Sequence, residues 1–476
     1  MDNTSGTNPF IDKLLLDPFE FLKAEQCHTA TQYDAPFMIV STKKKRSKAD
    51  NPFSDMYINS SLLTYSHLTM LMPENVKVVV GEYTFALSPH LKLGVSARDG
   101  VDVFVGCNHN GGLVAAKRCV RRAPLSLPQP LGPVNKSNLV RLLEISTLDQ
   151  HSFVMITELC ECNIRTFIAS DVFKEGGSQL KKRMCTEFLS GLNILHANNI
   201  VHSNIKPENV LIGTDGILKL GDYPVLSNWT DLMKQLFCNN SERLCWEATE
   251  VKKRLSDHSA HKSDIQVGGM LLHYIICDGM HPFGSLTSPI GVDSNIRAGQ
   301  YSVVTTDEEA KHLLSWMLPA EASIRKDTNI CMTHPFFWSK KKQVQFMAAV
   351  GRQPEIRSGF RTAILEQIND TNQCLKMSDW REKIDSKILK VMEDFSAENQ
   401  YDSSMAQLLK MVSDMTGMID QSEDLKKYVG DVYNFIADRY SHCVLPIYDV
   451  VIKSALCLRP QLEDVMRMSS KSSNAF

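Results

Sequence analysis

The chain has no apolar stretch long enough to cross a membrane. Its longest, Val267 to Cys277, is broken by His273 and falls well short of the roughly 20 residues that span hydrocarbon. No apolar segment follows a basic start at the N-terminus, so no secretory leader is expected. The thirteen cysteines contain no Cys-x-x-Cys pair, the nearest two being Cys160 and Cys162, which removes the usual zinc and disulfide frameworks. An excess of one charge is missing as well: 52 basic residues stand against 54 acidic ones, and the net charge of −2 gives no global case for a nucleic-acid or membrane surface. These absences lead to the expectation of a soluble, unanchored chain in the cytoplasm, with the nucleus as an alternative. What is present is a globular composition, 43% hydrophobic over 476 residues, with room for two or three domains.

Residues 1–75 lack a sustained hydrophobic period and read as a flexible extension. They carry a basic run at Lys43, Lys44, Lys45, Arg46 and Lys48, which is a solvated linker or a nuclear-import or anion patch. They also carry Asn8-Pro9-Phe10, Asp17-Pro18-Phe19 and Asn51-Pro52-Phe53, tripeptides similar to those bound by endocytic adaptor modules. A turn started by proline and anchored by phenylalanine explains them as well.

The most informative stretch is Ile200 to Ile212, I-V-H-S-N-I-K-P-E-N-V-L-I. It resembles the catalytic loop of protein kinases, H-R-D-L-K-P-E-N, with Ser203 at the arginine and Asn204 at the aspartate that accepts the substrate proton. An asparagine amide has no basicity near neutral pH, so the base is lost. Upstream, alternating β-rich runs from Val76 place Gly94, Ser96 and Gly100 roughly where a kinase glycine loop has its glycines. With no insertion, Asp99 takes the third place. Val114-Ala115-Ala116-Lys117 resembles the V-A-I-K strand, whose lysine holds the nucleotide phosphates. The next segment should be a helix with a glutamate for that lysine. It carries Pro124, Pro128, Pro130 and Pro133 instead, each costing about 3 kcal/mol inside a helix, and no acidic residue lies between Lys117 and Leu143. Glu158 and Cys160 are then expected to offer hinge backbone groups to an adenine. Lys206 and Asn209 survive in the loop, and Asp222-Tyr223-Pro224 stands for D-F-G, so Asn209 and Asp222 are the candidate magnesium ligands.

Further landmarks fix the register. Ala248-Thr249-Glu250 resembles A-P-E, Asp264 falls where a buried helix carries its aspartate, and Arg325 precedes His334 at the family spacing. The segments Gly279 to Gly284, G-M-H-P-F-G, and Met332 to Phe346, M-T-H-P-F-F-W-S-K-K-K-Q-V-Q-F, narrow the resemblance. They are similar to the family in which a kinase domain is fused to a kinase-extension-nuclease (KEN) domain, as in RNase L and the unfolded-protein-response sensor. The resemblance implies an α+β bilobal protein-kinase-like fold over 76–338, with a small lobe at 76–159 and a large lobe at 160–338. An all-α KEN-type domain over 339–457 and a tail over 458–476 would follow. Asp379-Trp380-Arg381 is expected to open a helix running through Ile384, Ile388, Val391, Met392 and Phe395, with Glu382 completing a capping box.

In that family the nuclease is metal-independent, cleaves RNA through the neighbouring ribose hydroxyl and works as a back-to-back dimer with nucleotide in the kinase-like part. Its catalytic set is an aspartate before Leu-Leu, then an arginine followed in one branch by asparagine, then a histidine five residues after the arginine. Here Gln407, Ser413, Asp414 and Met418 occupy those positions, and only Tyr401 matches a family aromatic. Methionine donates no proton and Asp414 repels phosphate. His442, the sole histidine after His334, is expected to be a packed or capping residue rather than catalytic. The reading is therefore a pseudokinase-type module that binds ATP or ADP with magnesium, fused to a KEN domain without the family's catalytic residues. It would act in dimerisation or scaffolding, as a homodimer or with active relatives, and RNA is an expected contact. The alternatives are an RNase L-like endoribonuclease using His442 or Lys410, and a weak Ser/Thr kinase.

Overall fold

The computed structural model describes residues 77–88, 92–94, 101–120, 137–225, 244–255, 260–375, 379–395 and 401–467. The N-terminal basic run and Pro-Phe tripeptides, Ser96, Asp99 and Gly100 of the glycine loop, and the proline-rich segment after Lys117 lie outside them.

The β-rich run after Val76 folds as a hairpin, β1 (Lys77–Val80) and β2 (Tyr83–Ala86). The two-residue turn between Val80 and Tyr83 needs the left-handed backbone of Gly81, φ 57°. This hairpin extends a seven-stranded antiparallel sheet with β3 (Lys92–Gly94), β4 (Val101–Asn108), β5 (Leu113–Val120), β6 (Leu142–Asp149) and β7 (Ser152–Glu158). The order is β1-β2-β4-β5-β7-β6, and β2 and β3 share one edge of β4. One face buries Phe85, Phe104, Val154 and Ile156. Period-two burial of such side chains, worth about 1.5–3 kcal/mol each, sets the register that brings Lys117 opposite Met155.

The large lobe begins with β8 (Cys160–Asn163) and the helix α1 (Asp171–Ala197), which is kinked where Gly177 takes φ 56°. Leu180, Met184, Phe188, Leu192 and Leu195, read from the sequence as one helical stripe, are all buried on α1. After it come β9 (Val210–Gly213) and β10 (Leu218–Leu220), in a small sheet of order β10-β9-β8. The helix α2 (Ala260–Ile276) is buried at every position from Ser263 to Ile275, and its buried polar side chains, Asp264, Gln266 and His273 among them, are hydrogen-bonded. The helix α3 (Glu308–Met317) closes the lobe.

Two hydrophobic cores meet at the sequence Phe336-Phe337-Trp338: one contains Phe336, the other starts at Trp338, and Trp316 of α3 packs against both. The second core is all helical. Its frame is α4 (Lys340–Gly351), α5 (Met405–Met418) and α6 (Val432–Lys453). Met405, Leu408, Leu409, Val412 and Met415 form the buried stripe of α5. The architecture is thus a bilobal α+β kinase fold followed by an all-α domain. Among the described residues no helix is long and apolar enough to cross a membrane.

Two local expectations need correction. The helix expected from Asp379 divides into a 3-10 turn, Trp380–Lys383, and a helix, Ser386–Phe395, because Ile384 is extended and the Asp385 side chain accepts the Lys387 N–H at 2.8 Å, which starts a new helix. The segment expected as a tail from 458 folds back as the helix Pro460–Met466, with Leu462 fully buried and Arg459 bonded to Glu355 at 2.6 Å.

Candidate functional sites

The loop at the end of α1 is held from below. The Asp264 carboxylate of α2 accepts the backbone N–H groups of His202 at 2.7 Å and Ser203 at 2.9 Å, and the His196 ring at 3.0 Å. Ser203 adopts the left-handed backbone, φ 59°, that this anchoring needs. Asn209, almost fully buried, donates its amide to the Asn204 carbonyl at 2.8 Å, so the two asparagines are braced together. The kinase loop geometry persists, while the residue at the base position carries an amide.

Lys117 on β5 reaches across the cleft to Asp222, which has φ 56° after β10, and the two form an ion pair with side chains 15% and 22% exposed. Burial by itself would lower the Lys117 ammonium, but the charge and hydrogen bond of Asp222 outweigh it and hold the lysine above its ordinary value. Burial likewise opposes ionisation of Asp222, and Lys117, helped by Lys206 and His202, holds that carboxyl below the usual range. Behind the pair lies a cavity of about 20 Å³, lined by Val140, Leu142, Met155, Thr157, Tyr223 and Val225, with room for a single water. Tyr223 seals one side by donating its hydroxyl to the Val140 carbonyl at 2.9 Å. This bond holds the Asp-Tyr-Pro turn against the strand that leads into β6.

At the hinge, the Glu158 N–H is bonded to the Arg141 carbonyl at 3.0 Å, and its carboxylate takes the Arg141 N–H at 2.7 Å and Lys219 at 2.8 Å. The N–H and the carboxylate of Glu158 are thus engaged within the protein. Cys160 pairs with Gly213 between β8 and β9, and burial pushes its thiol up to about 12. Gly94 ends β3 opposite Val103. Lys206 is half-buried beside the turn into Asn209. Asn209 and Asp222 carry oxygens of the type magnesium takes, and Lys117 the cation a phosphate takes, so the donor set fits a magnesium nucleotide once Asp222 is released from Lys117. Lower in the lobe, Arg325 and Glu250 form a fully buried bidentate pair at 2.8 Å, which ties the Ala-Thr-Glu segment to the base of the lobe.

In the helical domain, α5 carries Gln407, Ser413, Asp414 and Met418. Gly351 of α4 crosses α5 so closely that a Cβ there would lie 2.1 Å from the Leu409 carbonyl. The polar side of α5 is occupied by a residue that the sequence reading missed. Arg357, on the four-residue helix Pro354–Arg357, donates to Ser413 Oγ at 3.0 Å and to Asp414 at 2.5 Å. Tyr401 donates its hydroxyl to the other Asp414 oxygen at 3.0 Å. A guanidinium thus stands on Ser413, the position expected from the resemblance to match an arginine, though it comes from elsewhere in the chain. Lys410 is buried on the same helix, and burial, reinforced by nearby Arg357 and opposed by Asp414, draws its ammonium below the ordinary lysine value. His442 is exposed on α6 rather than packed.

A protein-kinase domain model matches residues 129–337 and a ribonuclease 2-5A model residues 343–462. The chain is thus a kinase domain fused to an endoribonuclease-like domain, homologous to the kinase-endoribonucleases of the IRE1 and RNase L type. It is similar to the rice (Oryza sativa subsp. japonica) serine/threonine-protein kinase/endoribonuclease IRE1, 25% identical over 387 residues that cover 74% of this chain and 42% of the relative. It also resembles Caenorhabditis elegans ire-1, 23% identical over 79% of this chain and 40% of that protein, and human IRE2, 29% identical over 57% and 30%. The chain therefore spans less than half the length of these relatives.

Proposed function

We propose that the chain is a regulatory member of its family, with a kinase-like domain that holds a nucleotide without transferring phosphate and a nuclease-like domain that no longer cuts RNA. The observation that carries this reading is the content of α5: Gln407, Ser413 and Met418 supply neither acid nor base, and Asp414 is committed to Arg357 and Tyr401. An RNA phosphate brought to this face meets a carboxylate, and no histidine stands at the acid position. In the kinase-like domain, Asn204 cannot accept a proton, and the nearest acidic partner of Lys117 is the metal-binding candidate Asp222 itself. Nucleotide phosphates would be held by Lys117, with Asn209 and Asp222 supplying oxygens to magnesium. The metal, when bound, neutralises phosphate charge. The role left for such a chain is dimerisation or scaffolding, with itself or with active relatives, in RNA decay or in stress or innate-immune signalling.

Cleavage of a labelled RNA hairpin, with and without ADP and magnesium, tests the reading. The expected result is no product above the level of the buffer. Robust cleavage abolished by a substitution on α5 refutes it. One observation favours a second reading: the buried Lys410, with its lowered ammonium pKa beside Arg357, is the kind of group that can donate a proton. In that case Lys410→Ala, and not His442→Ala, abolishes cleavage.

A further inference from the structure

The polar side of α5 already holds an anion, and that anion is part of the chain. Asp414 offers its two oxygens to two different donors: one accepts from Arg357 Nη2 at 2.5 Å, and the other from the Tyr401 hydroxyl at 3.0 Å. Two oxygens of one group, each held by a donor from a different element, are what the non-bridging oxygens of a phosphodiester would present. The seat is fixed from outside. Tyr401 is only 2% exposed, so packing sets the direction of its hydroxyl. The helix Pro354–Arg357 is tied down through Glu355, whose carboxylate accepts both terminal nitrogens of Arg459 at 2.6 and 2.9 Å. Arg459 also donates to Gln353, just ahead of the same helix, at 2.7 Å. The Arg357 guanidinium is thus placed by bonds in which Asp414 takes no part.

The remaining donors and charges show what such a seat would take. Arg357 uses Nη2 for both Asp414 and Ser413 Oγ, while its Nε and Nη1 make no hydrogen bond among the described residues and are not buried. The Arg357 side chain is 36% exposed and that of Asp414 17%, so the cation is reached from solvent more readily than the carboxylate that covers it. Lys410, one turn before Asp414 on α5, feels Arg357 and Asp414 with opposite sign, so a single carboxylate faces two cations. Three residues past Arg357, after the left-handed Gly359 with φ 65°, the Phe360 ring stands 75% exposed. An open aromatic ring close in sequence to a cation suits the base and phosphate of single-stranded RNA better than a free phosphate ion.

We propose that Arg357, Tyr401 and Ser413 form a seat for an RNA phosphodiester, and that Asp414 is its tethered occupant, which keeps RNA off the α5 face. This rests on the reading of the helical domain as nuclease-like without cleavage. It adds that the face is closed to RNA by one carboxylate, and not by the absence of cations.

Fluorescence anisotropy of a short fluorescein-labelled single-stranded RNA, titrated with the full chain at several salt concentrations, tests the proposal. Asp414→Asn should bind on the order of tenfold tighter than wild type, as one charge-assisted hydrogen bond gives. The slope of log K against log salt should steepen by about 0.7, the mark of one more neutralised phosphate on a single strand. Both changes should vanish when Arg357→Gln is added to Asp414→Asn. Asp438→Asn on α6 alters net charge equally and should bind as wild type does. Adding Phe360→Ser to Asp414→Asn should remove part of the gain. A gain that Phe360→Ser leaves intact and inorganic phosphate abolishes marks a free-phosphate site and overturns the RNA assignment. Equal affinity and slope in wild type and a folded Asp414→Asn overturn the proposal, as does a gain that survives Arg357→Gln or that Asp438→Asn reproduces. A further comparison needs no change at Asp414: Arg357→Gln alone should bind RNA as wild type does, and a drop there shows a guanidinium already open to RNA and overturns the proposal. Gels of the same samples read cleavage separately. Product from the wild type refutes the reading above, whereas the proposal stands or falls on affinity alone.

Discussion

Replacing Asp222 by asparagine separates two roles that one carboxylate now serves. In the wild type it neutralises Lys117, and in the proposed nucleotide complex it would have to leave Lys117 for magnesium. Two unit charges about 4 Å apart attract by about 4 kcal/mol at an effective dielectric constant near 20, before desolvation is subtracted. A fully buried pair broken on one side costs about 3–5 kcal/mol. With 15% and 22% of the side chains exposed, solvent screens this one, and a loss of about 1–3 kcal/mol in unfolding free energy is expected for Asp222→Asn. The freed ammonium then becomes available to phosphate. Recovering even about 1.4 kcal/mol of that attraction makes metal-free ADP bind about tenfold tighter to the variant. With magnesium present the order reverses, since only the wild type offers a carboxylate to the metal. Calorimetric titration with ADP in EDTA and then in magnesium measures both arms. Equal metal-free affinities, in a variant no less stable than wild type, would refute the argument that Asp222 competes with nucleotide for Lys117.

Arg325→Met strands the buried Glu250 carboxylate and should cost about 3–5 kcal/mol by urea titration, whereas the double change with Glu250→Gln should recover much of it. Glu250 is also acid-sensitive. Burial opposes its charge, but Arg325 and Ser263 outweigh burial and hold it below its ordinary value, so its contribution is complete above the usual carboxylate range and fades as pH falls through the lowered folded value. A flatter acid limb in Glu250→Gln checks this. The buried rings of His281, lowered by burial to about 3, and His334, lowered to about 2, favour the neutral form in the fold. The unfolded chain binds those protons below about pH 6.5, so stability should decline as pH drops under that point, with a slope reduced in His281→Gln. Gly351→Ala forces a methyl against the Leu409 carbonyl and should lower unfolding free energy by about 1–3 kcal/mol, with the loss visible as faster exchange on α5.

The kinase half was legible because its signals are local. Ile200 to Ile212 and the Val-Ala-Ala-Lys strand carry their meaning within a few residues, and the stripe on α1 follows from a period of three and four. The α5 stripe was legible for the same reason. The ion pair of Lys117 with Asp222 was not, because it joins residues 105 apart and arises where a helix glutamate is missing between them. Sequence showed the missing partner, but only the fold shows which charge takes its place. The break at Ile384 was hidden too, since the buried Trp380, Ile384, Ile388 and Met392 keep a helical period straight through that extended residue.

Arg357 shows most clearly where reading a sequence position by position fails. By the resemblance, Ser413 stands at an arginine position and Asp414 brings a carboxylate beside it, so each position taken alone points to a face without cations. The fold puts a guanidinium back on Ser413 from 56 residues upstream, on a helix of four residues that is too short to leave a period. That guanidinium is bonded at 2.5 Å to Asp414, whose second oxygen is held by Tyr401, so its charge is spent inside the domain. A cation engaged in this way stabilises the α5 surface and is a poor partner for a transition-state phosphate, which needs donors aimed at developing charge and not already satisfied. On the proposed reading, Ser413 at the arginine position and the carboxylate of Asp414 are parts of one structural exchange: a closed polar network of Arg357, Asp414 and Tyr401 stands where cleavage would require an open one.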